Sequence, residues 1–201
     1  IKGKRPPASN PPTILYGTTF TKGISSAESV FETIEKLAKE RDWNWILTFH
    51  PKLHGSEIVE RYKQLAASID NVKYLHNVDL DSVNEASVLL CDSSSIILEF
   101  MMQEKPVVTF RNTNPGPHLI DVTETSEIEA AIDYALTKPI EVIDAINAYV
   151  DLHEKYRDGR NSERVLDAID DFILKYKGKL KPHKPGIWRK FQMRKKTGYW
   201  K

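Results

Sequence analysis

Asp92-Ser93-Ser94-Ser95 sets three hydroxyls between an apolar run, 88–91, and a helical pattern carrying Ile96, Ile97, Phe100 and Met101. Small residues in that position can offer backbone N–H groups and side-chain donors to a diphosphate, and the start of the helix adds partial positive charge. Glu99 follows one turn later, within reach of ribose hydroxyls. A single serine needs no ligand to explain it, because serine commonly caps helices; three exceed what one cap needs. Thr18 and Thr19 follow another apolar run, 13–17, and either bond phosphate oxygens or form a turn. His50 closes the run 45–49, where a ring nitrogen can meet a phosphate or hydroxyl, or the ring can be a surface group ordered by Pro51. Arg111 follows 107–110, and its guanidinium either pairs with phosphate or is simply exposed.

Other chemistries are poorly served. His50 and His54 have i, i+4 spacing, but Pro51 and Gly55 do not sit in a zinc-binding helix, so no metal is expected. Cys91 is the single cysteine, which excludes an internal disulfide and fits a reducing compartment; it reads as buried strand. No cofactor is implied. Ser162-Glu163-Arg164 reads as the cap of a last helix, and Asn114-Pro115-Gly116-Pro117 as a rigid loop.

These residues need strands and helices in alternation to bring them together. Strands are expected at 13–17, 45–49, 72–75, 88–91 and 107–110, the second stopped by His50-Pro51. Helices are expected after a Ser25–Glu28 capping box and at 56–67, 80–86 and 95–103, then at 126–137, 141–153 and 162–176. Repeated β-α-β units imply an α/β fold, a Rossmann-like parallel sheet with helices on both faces, and ligands at the C-terminal ends of its strands.

With 201 residues the chain can hold one core of this kind. It begins at Ile1 with a Pro-rich basic stretch and is expected to be a piece of a longer protein: linker 1–12, nucleotide-binding domain 13–176, tail 177–201. The net charge of +1 hides a division, since ten basic and no acidic residues follow from Lys177 onward, leaving −9 on the rest. Trp188, Phe191, Met193, Tyr199 and Trp200 interleave with these cations, a composition suited to an anionic membrane surface or to packing on another domain. Nucleic acid is not an expected partner, because the body is acidic and no binding module is present. A cytoplasmic protein is expected, peripheral on the membrane through its tail.

The run 88–108, V-L-L-C-D-S-S-S-I-I-L-E-F-M-M-Q-E-K-P-V-V, resembles the nucleotide-binding segment shared by the CDP-glycerol glycerophosphotransferases and the non-hydrolysing UDP-N-acetylglucosamine 2-epimerases. Its D-S-S-S is closer to the D-Y-S-S of the former than to the D-S-G-G of the latter. I-L-Y-G-T-T-F at 14–20 resembles the transferases' I-L-Y-A-P-T-W, and T-F-H-P-K-L at 48–53 their L-H-P strand end. R-N-T-N-P-G-P at 111–117 resembles the epimerases' R-D-T-T-E-R-P, with His118 where they carry glutamate, and D-G-R-N-S-E-R-V at 158–165 resembles a D-G-K-A-S-E-R-I of both. The likeness runs from about 13 to 172. It implies the C-terminal half of a GT-B fold that binds a nucleotide-activated polyol or sugar, and a transferase acting on an envelope polymer or lipid-linked acceptor. It also implies a catalytic part for His50. An epimerase-like enzyme and a non-catalytic nucleotide-sugar binding module remain the alternatives.

Overall fold

Short runs rich in β-branched and aromatic residues, such as Thr13–Thr18 (TILYGT) and Val107–Phe110 (VVTF), are buried along their whole length, as strands covered on both faces must be. The computed structural model describes residues 11–180 and 186–200; ten of the twelve residues of the expected linker lie outside them. The elements in order are β1 (Thr13–Thr18), α1 (Ala27–Glu40), β2 (Asn44–Phe49), α2 (Glu57–Ser68), β3 (Val72–Leu75) and α3 (Leu80–Glu85). They continue with β4 (Val88–Cys91), α4 (Ile96–Met101), β5 (Val107–Phe110), β6 (Ile120–Val122), α5 (Ile128–Leu136) and α6 (Ile140–His153). The chain divides after Lys155. The second unit, beginning at Tyr156, holds α7 (Asn161–Tyr176), which the sequence pattern groups with the sheet, and α8 (Ile187–Thr197).

The six strands are all parallel, in the order β3-β2-β1-β4-β5-β6. Register pairs Ile14 with Trp45 on one side and with Val88 on the other. Period-two alternation then sorts the strand side chains between two cores. Ile14, Tyr16, Trp45, Leu47, Val88, Leu90 and Val108 pack with α1, α2 and α5. Leu15, Ile46, Leu89, Cys91 and Val107 pack with Val83 of α3, Phe100 and Met101 of α4, and Val142, Ile146 and Val150 of α6. Each fully buried aliphatic side chain contributes about 1.5–3 kcal/mol, enough for the two layers to fix the register. The chain reverses direction across the sheet between β1 and β4, and such a switch point leaves a crevice beyond the carboxyl ends of the two strands.

Three local expectations are corrected. Ser25 and Glu28 form no capping box: α1 starts at Ala27, and its N-cap residue Ser26 makes no side-chain cap because its hydroxyl is used elsewhere. The helix expected at 95–103 is only Ile96–Met101, ending where Glu104 turns left-handed (φ 57°) ahead of Lys105-Pro106. Strand β6 went unseen because three residues, two of them half-buried, carry no period. The helix α8 lies within the tail and ends at Gly198, in the left-handed conformation (φ 69°) that suits glycine after a helix.

Candidate functional site

At the switch point, β1 and β4 are joined by one buried carboxylate. Both Asp92 oxygens are taken: Oδ2 by the Thr18 hydroxyl, the Ser26 N–H (2.8 Å) and the Ser26 hydroxyl (3.1 Å), and Oδ1 by the Thr19 N–H (2.9 Å). The Ser26 hydroxyl also meets the Tyr16 phenol at 3.0 Å, and burial pushes that phenol well above its ordinary pKa. Asp92 and Thr18 therefore position the loop rather than face a ligand with free oxygens, and the Thr19 N–H is spent in the same way. Burial likewise raises the Cys91 thiol, as expected of a strand residue with no chemical part.

The serine loop is shaped by its neighbour after β5. The Asn112 amide donates to the Asp92 carbonyl (2.7 Å), and Ser93 Oγ accepts from the Thr113 N–H (2.9 Å) and hydroxyl (3.1 Å). The Ser94 and Ser95 hydroxyls, by contrast, have no hydrogen-bond partner among the described residues. Ser95 precedes α4 without capping it. Ser94 lies in the wall shared by two cavities, one on each side of the loop.

The first cavity, about 280 Å³, opens over the ends of β1, β2 and β3 and is lined by Thr18, Thr48, His50, Asn77, Ser94 and Ile96 among others. His50 is exposed at its mouth; Nδ1 accepts from the Lys52 N–H (3.2 Å), so the neutral ring carries its proton on Nε2. Its ring lies 4.3 Å from that of Phe20, over which Lys52 Nζ sits at 4.0 Å. Here an imidazole N–H and a free serine hydroxyl are available for an anionic ligand.

The second cavity, about 240 Å³, opens between the serine loop, the β5 loop and α6, and is lined by Ser93, Ser94, Ser95, Asn114, His118 and Tyr149 among others. The His118 ring stacks on Tyr149 at 3.8 Å and 18°, and Tyr149 on His153 at 4.2 Å and 29°. Burial, and then the nearby His153, pull the His118 pKa below its ordinary value. Gly116 makes this arrangement possible, since a Cβ there would stand 2.7 Å from His118 Cε1.

Four of the expected residues line neither cavity: Asp92 and Thr19, engaged with each other, and Glu99 and Arg111. Glu99 is exposed one turn along α4. Arg111, left-handed at φ 53°, turns its Nε to the Thr123 carbonyl (2.7 Å) and lies 3.7 Å from Glu124. Sequence reasoning gave no site role to Asn77 and Tyr149, which lie in a loop and on a helix without a motif, nor to Asn112, Asn114 and His118, for which the motif at 111–117 and its rigid loop were the available signal. No group of three or more potential metal ligands occurs among the described residues. In the second unit, α7 begins at Asn161 with no side-chain cap, so Ser162-Glu163-Arg164 lies inside the helix and does not cap it; Arg164 grips Asp158 through both terminal nitrogens (2.7 and 2.6 Å).

The family model described as UDP-N-acetylglucosamine 2-epimerase matches residues 18–170. No curated protein matches the sequence. Among solved structures the chain is similar to S. aureus MnaA in a co-structure with UDP, at 21% identity and TM-score 0.60, covering 88% of this chain and 49% of that one. It is also similar to a Listeria monocytogenes protein assigned as a UDP-N-acetylglucosamine 2-epimerase (17% identity, TM-score 0.58, 83% and 46% covered). A third is the wall teichoic acid polymerase TagF (17% identity, TM-score 0.55, 86% and 46% covered). The chain spans about half the length of these structures. Their likeness agrees with the Rossmann-like parallel sheet expected from the sequence.

Proposed function

The chain belongs to the UDP-N-acetylglucosamine 2-epimerase family, and from that membership we propose that it is the donor-binding half of a GT-B enzyme that takes a nucleotide-diphosphate-activated polyol or sugar. The observation that carries this reading is the pair of unengaged hydroxyls, Ser94 and Ser95, at the switch point of a parallel sheet between two cavities. The nucleotide enters the first cavity, where His50 supplies an N–H, and the diphosphate lies against the serine loop. Thr18, Thr19 and Asp92 hold that loop in place. Glu99 meets the ribose, and Arg111, its Nε on the Thr123 carbonyl, reaches a phosphate through its terminal nitrogens.

For the transferred group the reading is glycerol phosphate, from CDP-glycerol or a related CDP-polyol, passed to an envelope polymer of the teichoic acid kind. Ser94 and Ser95 in place of the epimerases' paired glycines favour it, as does His118 in place of their glutamate. An acceptor hydroxyl attacks the donor phosphorus, CMP leaves, and the hydroxyls and N–H groups of the serine loop stabilise its charge. His50, to which the resemblance gives a catalytic part, takes the acceptor's proton. The second reading, an epimerase that eliminates UDP and adds it back, is favoured by the family model itself.

Calorimetric titration with CDP, UDP, CDP-glycerol and UDP-N-acetylglucosamine tests the site. Ser94→Ala is expected to weaken nucleotide binding about ten-fold, the cost of one hydrogen bond to a charged group, and Glu99→Ala to weaken it by less. Unchanged affinity in both removes the assignment. Preference for UDP-N-acetylglucosamine, with interconversion of its C2 epimers by the intact protein, selects the epimerase.

The reading includes a peripheral place on the cytoplasmic face of a membrane. No helix among the described residues is long and apolar enough to cross one. Trp188, Phe191 and Trp200 form an aromatic cluster, with centroids 5.7 and 5.8 Å apart, and Trp188 is 71% exposed beside Arg189, Lys190, Arg194, Lys195 and Lys196. Each cation near an anionic surface contributes about 1 kcal/mol. Sedimentation with vesicles containing phosphatidylglycerol is expected, decreasing as salt rises and lost on truncation after Lys177. Sedimentation that survives truncation assigns the tail to another task.

A further inference from the structure

We infer that the second cavity is the subsite for the polyhydroxyl group of the donor, a sugar ring or short polyol, with His118 and Asn114 reading its hydroxyls. The inference rests on the donor-binding reading above and adds to it which side of the serine loop the transferred group occupies. Four polar groups converge there without a partner among the described residues: the Ser94 and Ser95 hydroxyls, the Asn114 side-chain amide and the His118 imidazole. None of the lining residues carries a full charge at neutral pH, and His118 is held neutral by burial. Beyond the serine loop, on the side of Asn114, His118 and Tyr149, a phosphate gains little. Vicinal hydroxyls, which both donate and accept, match amides, hydroxyls and a neutral imidazole in turn.

The stacking leaves no Tyr149 face for a nucleobase. Bases commonly lay a ring face on an aromatic face, and here both faces of Tyr149 are covered. Two rings with centroids 3.8 and 4.2 Å from that of Tyr149, each within 30° of parallel, cannot share one face, so His118 and His153 take one each. One face of His118 is itself spent on Tyr149, and its ring edge at Cε1 abuts Gly116 so closely that no side chain fits there. The cavity therefore offers hydrogen-bonding groups and the aliphatic edges of Ile97, Leu98 and Leu119, with no free ring face of Tyr149. At about 240 Å³ it is smaller than the roughly 300–1,000 Å³ of sites that take a whole drug-sized ligand, and suits one part of a donor.

The test compares each complete donor with its nucleotide alone on the native chain and on His118→Gln, Asn114→Ala and Gly116→Ala. CDP and UDP are expected to bind the variants within about two-fold of the native affinity, whereas the preferred donor weakens by about five- to ten-fold in each, the loss of one hydrogen bond. Gly116→Ala acts only by displacing the His118 ring. In parallel, the imidazole proton resonance that His118→Gln abolishes is followed by NMR. It is expected to shift on adding the donor, glycerol 3-phosphate or N-acetylglucosamine 1-phosphate, and to stay in place with the nucleotide alone. Equal weakening of nucleotide and donor, or a His118 resonance indifferent to donor and sugar phosphates alike, overturns the inference. A native chain that binds no nucleotide, yet shifts His118 with the phosphorylated polyol or sugar, sinks the nucleotide site and leaves this one standing.

Discussion

Asp92→Ala is expected to destabilise the first unit by roughly 3–5 kcal/mol, because unsatisfied buried donors cost about 1–3 kcal/mol each and partial relaxation recovers some of the sum. Four donors lose their acceptor at once: the Thr18 and Ser26 hydroxyls and the Thr19 and Ser26 N–H groups. Asp92→Asn, which keeps the shape but turns an NH2 toward a donor, is expected to fall between the alanine variant and the parent. Urea unfolding followed by tryptophan fluorescence reads the effect in the right place, since Trp43 and Trp45 are buried in the first unit while Trp188 and Trp200 are exposed. A midpoint for the alanine variant within about 0.5 kcal/mol of the parent, the range of an ordinary surface change, means the network contributes nothing.

The second large effect falls on binding and leaves the fold alone. Ser94→Trp is expected to weaken binding of the complete donor by about 100-fold or more, equivalent to about 2.7 kcal/mol, because one indole obstructs both cavities through their common wall. Ser94 is partly exposed and makes no side-chain hydrogen bond among the described residues, so the urea midpoint is expected to hold. Donor affinity within two-fold of the native value would show that neither cavity is the donor site.

The sheet was legible because its strands are short, mostly buried and punctuated by His50-Pro51 and the serine loop; 72–75, 88–91 and 107–110 were bounded to the residue. What escaped were features set by contacts distant in sequence. Ser26 forgoes its cap because Asp92 claims its hydroxyl across the sheet, and no local pattern announces that. Of the candidate site, the strand-end loops were readable from residue type, and Thr18, His50 and the three serines do line the cavities. The engagement of Asp92, Thr19 and Arg111 was not readable, since a side chain's partners are fixed by the register of strands, not by its own neighbours. His118 and Tyr149 meet only because β5 and α6 end on the same side of the sheet.

Thr18 and Asp92 stand 74 positions apart in the chain, so the bond that shapes the serine loop waits on the pairing of β1 with β4. Bringing together ends so far apart costs loop-closure entropy that no local contact returns in advance, and parallel pairing of this kind is intrinsically slow. During synthesis, β1, α1, β2, α2 and β3 all leave the ribosome before Asp92 does. Until then the first β–α turn has no acceptor for the Ser26 and Thr19 N–H groups. The crevice is thus absent until Asp92 has emerged, and ligand competence is acquired with the arrival of β4 rather than accumulated strand by strand.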